Sequence, residues 1–501
     1  MFKNVAWFSN FLCFLLITTI TFASDSLTTN FQFSENNFTQ KIHSYAEMQS
    51  ILNKVSVHPF INVSETGFSS QGRSLYLVKL NRNPGYTKWK VFLFAQQHGN
   101  EPAGKEALIA LLKNIAKNPE LLPEDVALWV MPMVNPDGAE SNQRRNRNGA
   151  DLNRDHIILQ QPETQTLHKV FREFMPHISI DCHEFTRDSK DYSEQGWLEW
   201  PQIMMDCLNN PFFDTEIYKS GLRWLEQVAP ALQKKGYNYC RYYVGGGPPM
   251  NEQRYSTPEM DDARNGLGAY GGLSFIIESG VKRNSANPNE DLYKRVDAYL
   301  QIFYQFLQNN KFREEDINTI RKSRNRAMPG FIPTNYFWGS TGIQTTEFKV
   351  IDAISGEVKI IPTANFMHHM IVKKTIPLPK AYIIDADKAE VFIKLLQHHA
   401  IPFDTLKKEI KVFVEPVRIL RIETEWDPVY ARYGGRQISE IDSITQKNFP
   451  AGSLLIQLQN ETAVRAALLL EPSAIYGLYQ YVPFKNFLSE KGFTPVWRII
   501  E

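Results

Sequence analysis

From Leu75 onward the chain alternates between short, unbroken apolar runs and amphipathic stretches. LYLVKL (75–80), KVFLFAQ (90–96) and VALWVMPM (126–133) are continuous apolar runs, the pattern of strands buried on both faces of a sheet. Between the last two, EPAGKEALIALLKNIAKN (101–118) repeats apolar residues at helical spacing, with Pro102 suited to a first turn. HISIDC (177–182) and LSFIIE (273–278) predict two further buried strands, preceded by helices around 163–175 and 215–235. Strands alternating with helices predict an α/β fold, a mixed and mostly parallel central sheet flanked by helices. Residues 24–70 read as an N-terminal lead-in, with a helix over Ser44 to Lys54.

Two regions break the alternation. Tyr237 to Gly272 holds GGGPP (245–249), further glycines and no clear period, and so long a loop inside a compact domain is usually functional. Beyond Arg326 the chain becomes short strand-like runs, such as AYIIDA (381–386) and IKVFVEPVRILRI (410–422), with a helix near 388–399. The break at RAMPGFIPTN (326–335) marks a boundary between an α/β domain over 71–325 and a smaller β-rich C-terminal domain over 335–501.

Composition adds a class and a compartment. Of 501 residues, 43% are hydrophobic and 22% charged, as in a soluble globular protein. Lys and Arg (55) balance Asp and Glu (54), which gives no global support for a nucleic-acid-binding surface. The N-terminus has Lys3, an apolar stretch from Phe11 to Ile17 and a small-residue exit at Thr21-Phe22-Ala23. That is the layout of a secretory signal peptide over 1–23, so export to a periplasm or the medium is expected, with no membrane association after cleavage. Cys13 leaves with it, and Cys182, Cys207 and Cys240 then allow one disulfide at most, with Cys207–Cys240 left open.

Candidate chemistry gathers at strand exits, where α/β sheets assemble their sites. His98 and Glu101 end the run 90–96, and His183 lies in DCHEF after HISIDC. RRNRNGADLNRD (144–155) follows MPMVNPDG, and Glu278 closes LSFIIE. Each is unremarkable alone. Together they supply two imidazoles and a carboxylate, a known catalytic zinc set that keeps a position for water. They also supply a carboxylate to collect that water's proton, and arginines for a developing oxyanion or a substrate carboxylate. Gly99 is expected to let the backbone turn sharply between the first two ligands. Glu184 and Cys182 flank His183 on a strand and should face the other way.

HGNE (98–101), NPDG (135–138), the Arg144-to-Arg154 run and a strand-terminal Glu, in this order, resemble the zinc carboxypeptidases of the M14 metallopeptidase type, over about residues 70–285. The resemblance implies a zinc carboxypeptidase-like fold with Zn²⁺ held by His98, Glu101 and His183. It implies that Glu278 is the general base and Arg144 the oxyanion-stabilising arginine. Asn153 and Arg154 would hold the C-terminal carboxylate of a peptide substrate, and Asp151 would orient the first zinc histidine. The family also places a mobile tyrosine before the catalytic Glu, near a glycine pair. Tyr242 and Tyr243 precede GGG, Tyr255 and Tyr270 compete, and Tyr243 is the expected one. The region after about 330, including LLLEP (468–472), resembles the C-terminal extension of some bacterial exported members.

Two other readings use the same residues. A zinc-dependent N-acyl amino acid amidohydrolase of the aspartoacylase and succinylglutamate desuccinylase type resembles the chain at HGNE and DLNR. The export signal and the fuller NPDG-to-DLNRD run favour the peptidase. A non-catalytic binding protein on this fold would typically have lost a ligand or the base, and here none is missing. Two imidazoles and a carboxylate also accept other first-row metals.

Overall fold

The structure, a computed structural model, describes residues 41–500 apart from 327, 341–344, 423–424, 428–431, 435–436 and 459–461. The expected signal peptide lies outside the described residues. Among them, no helix is long and apolar enough to cross a membrane.

The first element is helix α1 (Tyr45–Val55), started by a reciprocal cap in which Ser44 and Glu47 satisfy each other's backbone N–H groups. Next comes β1 (Ile61–Phe68), a strand that the weak alternation of INVSETGF does not announce. β2 (Ser74–Asn81), β3 (Trp89–Ala95), α2 (Ala103–Lys117) and β4 (Val126–Met131) follow where the apolar runs predict them. The short helix α3 (Pro136–Glu140) starts at NPDG, and α4 (Pro162–Phe174) leads into β5 (Ile178–Thr186). After a single turn, α5 (Lys190–Ser193), come β6 (Trp197–Glu199), β7 (Ile203–Cys207) and α6 (Thr215–Lys234). The stretch expected to be a loop resolves into β8 (Tyr239–Arg241), β9 (Tyr243–Gly245), β10 (Gln253–Tyr255) and α7 (Ala263–Gly268). β11 (Leu273–Val281), α8 (Pro288–Gln308) and α9 (Arg313–Arg324) complete this part.

Eight strands form the central sheet in the order β1-β2-β4-β3-β5-β11-β7-β8. Its middle, β4-β3-β5-β11, is parallel, while β1, β2 and the β11–β7 pair run antiparallel, so the sheet is mixed. α2, α6 and α8 pack together against β3, β5, β7 and β11. On the other side, Phe92 and Phe94 meet Leu167, Val170 and Phe171 of α4 and Ala263 and Leu267 of α7. This is an α/β sheet between helix layers, as the alternation predicts. The C-terminal ends of β3, β5 and β11 lie side by side, and the site is built there.

The chain after residue 330 is β-rich and interleaves with these elements. β12 (Phe331–Gly339) pairs with a later strand, His369–Pro377. β13 (Thr346–Asp352) adds to β6, with Val350 opposite Glu199, and Phe366–Met367 adds to β10. A six-stranded sheet between Ala381 and Ile499 has its own core of Ile383, Val414, Phe449 and Trp497.

Candidate active site

β3 stops at Ala95, and the next residue, Gln96, takes a left-handed φ of 59°, which swings the chain out of the sheet. His98 and Glu101 follow on this turn, before α2 begins. The need for glycine at 99 is spatial rather than torsional. The left-handed residue is Gln96, and a Cβ on Gly99 would overlap the backbone of Gly138 and Ala139. β5 carries His183 in its exposed-end half, and β11 carries Glu278 directly opposite His183 in parallel register. Neighbours in register point to the same face, which brings the two side chains together. Glu184, one residue on, turns away to accept the Ala103 N–H and pair with Arg295.

The ligand atoms converge closely. His98 Nδ1 lies 2.8 Å from Glu101 Oε1, His183 Nδ1 lies 2.9 Å from Glu101 Oε2, and the two Nδ1 atoms are 3.0 Å apart. All three side chains are buried. The remote ring nitrogens are held by carboxylates: His98 Nε2 meets Asp151 Oδ1 at 3.0 Å and His183 Nε2 meets Asp181 Oδ2 at 2.7 Å. With each Nε2–H donated to its carboxylate, both Nδ1 lone pairs and a carboxylate face one point. Such a set of acceptors suits a cation, and carboxylate–histidine pairs of this kind orient metal ligands. Burial pushes the Glu101 carboxyl up, but His98 and His183 more than offset it and hold it well below the ordinary range. Burial would lower the His183 pKa, yet Asp181 and Glu101 raise it well above the usual value. The residues present therefore fit a divalent metal, which His98, Glu101 and His183 would hold.

The rest of the constellation surrounds this point. Glu278 is buried, which pushes its carboxyl up to about 7; His183 draws it down and Glu101 pushes it further up. Its Oε2 has no hydrogen-bond partner among the described residues. Arg144, half exposed, donates from Nε to Asp151 Oδ2 (2.9 Å) and places Nη1 3.3 Å from Glu101 Oε1. Asp151 thus fixes His98 and Arg144 at once. Asn153 Oδ1 accepts the Ala263 N–H at 2.8 Å, and its Nδ2 is 3.1 Å from His183 Nε2. Arg154 donates to the Asn153 carbonyl and lies 3.6 Å from Asp261.

Tyr243 is not part of this group. Its ring packs among Met204, Phe348 and Phe366, and its hydroxyl meets Tyr192 and Glu199. Adjacent strand residues face opposite ways, and it is Tyr242 that is turned toward Glu278. Tyr255 packs on Trp338 and Phe366, and Tyr270 bonds His168. Two further contributors escaped sequence reasoning. Asp181 sits two residues before His183 and so on its face of β5, a readable signal. Gln97 donates to Asp181 Oδ2 (2.7 Å) and accepts from His156 (2.9 Å), and nothing in the sequence marks it. The cysteines are not involved: Cys182, Cys207 and Cys240 are free thiols, so the disulfide that spacing left open is not formed.

An α/β sheet with a His–Glu–His cluster that can hold a divalent metal, and a second carboxylate at an adjoining strand end, has the parts of a metal-dependent hydrolase. Residues 48–215 match the family model Peptidase_M14, zinc carboxypeptidase. The chain is 24% identical to Carboxypeptidase 2 of Trichophyton tonsurans over 413 residues, 78% of this chain and 73% of that protein. It is 32% identical to Carboxypeptidase SOL1 of Arabidopsis thaliana over 135 residues, 23% of this chain and 28% of that one. Among solved structures, the metallo-carboxypeptidase from Burkholderia cenocepacia matches with a TM-score of 0.42 at 22% identity, over 53% of this chain and 69% of that one. Over residues 48–215 the chain is thus similar to the zinc carboxypeptidases, and relatives called carboxypeptidases align with it over a longer stretch. The matched segment contains every ligand candidate, while Glu278 lies beyond it.

Proposed function

We propose that this protein is an exported zinc carboxypeptidase that removes the C-terminal residue from peptides bearing a free carboxylate. The observation that carries the reading is the convergence of His98 Nδ1, His183 Nδ1 and Glu101, with Glu278 in register opposite His183. When bound, zinc supplies a Lewis acid that polarises the scissile carbonyl and acidifies water. Glu278 takes the proton from the attacking water and returns it to the leaving amine; its burial and unpartnered Oε2 support that role. Arg144 stabilises the oxyanion from a guanidinium held over the cluster by Asp151. Asn153 and Arg154 hold the terminal carboxylate, for which a guanidinium beside an amide is well matched. Tyr242, rather than Tyr243, is the tyrosine that closes over the scissile bond, on the strength of its contact with Glu278. Export rests on the signal-like N-terminus, and the β-rich segment 335–501 acts as an accessory domain shaping access to the site.

The test is Glu278→Gln. The amide fills the same space and leaves the three ligands in place, so the variant should retain its metal while turnover falls by about 10²–10⁴-fold. Near wild-type turnover would remove Glu278 from the role of base.

A further inference from the structure

A cavity of about 280 Å³ lies where α4, the start of α6, the end of α7 and residues 323, 324, 326 and 328 meet the C-terminal helix Ala463–Leu470. Four guanidinium groups line it, from Arg172, Arg324, Arg326 and Arg465, against one carboxylate, Asp214. That carboxylate accepts the Glu216 N–H at 2.8 Å as the cap of α6 and also acts on Arg326, so it offsets part of the positive charge. Arg172 donates one N–H to the His398 carbonyl (2.7 Å) and Arg326 one to the Phe212 carbonyl (2.6 Å). A guanidinium carries five such donors, so each of these two arginines retains most of its fork. Arg465 is buried and stacks 3.9 Å over the ring of Tyr270. The remaining walls are apolar, with Met175, Phe213, Ile217 and Val464.

Arg172 and Arg326 face the same partly enclosed space with donors to spare, and an anion there would accept from both. The positive field reaches beyond the cavity: behind burial, Arg465 and Arg172 help hold His399 at about 3, far below a free imidazole. The forked donors match a carboxylate or phosphate bidentately, and the apolar walls suit a short hydrocarbon body. The cavity is also separate from the metal cluster. From Tyr270 the path to His183 runs through His168, His156, Gln97 and Asp181, each joined to the next by a hydrogen bond of 2.7–3.2 Å.

We propose that this cavity is a binding site for a small organic anion, a carboxylate or phosphate ester with a short apolar body, distinct from the peptidase site. Calorimetric titration of the full mature protein with inorganic phosphate and with 3-phenylpropionate tests it. At least one probe should bind with a Kd of about 1 mM or tighter. Which one binds tells a phosphate source from a carboxylate source. The site should survive Arg154→Ala, which disables carboxylate binding near the metal, and weaken about tenfold or more in Arg326→Gln and in Arg465→Met. Arg326 is only half-buried, so its variant remains informative if replacing buried Arg465 prevents folding. Absence of binding by both probes overturns the proposal. So does binding that is abolished by Arg154→Ala and kept in Arg326→Gln.

Discussion

At the scale of single residues, the cluster is organised by carboxylates that touch no substrate. Asp151 and Asp181 each take the remote nitrogen of a histidine, fixing the tautomer that leaves Nδ1 as a lone pair toward the shared point. Removing the Asp181 charge should loosen metal binding more than it disturbs the fold. Asp181→Asn is expected to lower metal affinity by about 10–100-fold, measured by competition with a chromogenic chelator. Unchanged affinity would mean that His183 is oriented by Asn153 or by packing alone. The ligand candidates were legible in the sequence because His98, His183 and Glu278 each close a conspicuous apolar run. Tyr242 was not, because choosing between adjacent tyrosines requires knowing which face of a three-residue strand each occupies, and such a strand shows no period.

At the scale of elements, the geometry depends on how tightly the turn after β3 is packed against the turn after β4. Gly99 leaves no room for a side chain beside Gly138, and Gly104, at the start of α2, sits where a Cβ would lie 2.6 Å from Cys182 Cβ. Gly99→Ala must push two backbones apart directly beside both His98 and Glu101. Its expected cost is about 1–3 kcal/mol, read as a lowered melting temperature, together with weaker metal binding. A variant as stable and as metal-loaded as the parent would show that this contact is not a constraint. The long buried strands and helices were legible because each repeats its period several times. β1 and β6 to β10 were not: INVSETGF is largely polar, and the others run three to five residues and owe their form to the neighbours they pair with.

At the scale of the whole molecule, the chain after residue 330 bears on the site through the loop that carries Tyr242. Phe366, beside β10, packs its ring 5.0 Å from Tyr255 and 6.4 Å from Tyr243, and Phe348 of β13 lies 5.0 Å from Tyr243. The β-rich character of this region could be read from its short strand-like runs, but its pairing with β6 and β10 joins residues more than 100 positions apart and leaves no local trace. Phe366→Ala should cost about 3–5 kcal/mol of stability. It should also lower kcat/KM about tenfold or more with metal content intact, since the tyrosine loop loses its brace. A drop in stability with kcat/KM unchanged would confine this residue to folding.

For a zinc carboxypeptidase the direct measurement is metal content together with product analysis on the purified mature protein. The substrates are matched free-acid and C-terminally amidated peptides, with N-acetylated amino acids alongside. One zinc per chain is expected, with stepwise release of single C-terminal residues from the free-acid peptides only, abolished by chelation and restored by zinc. Hydrolysis confined to the N-acetylated amino acids, or peptide cleavage indifferent to the terminal carboxylate, would contradict it.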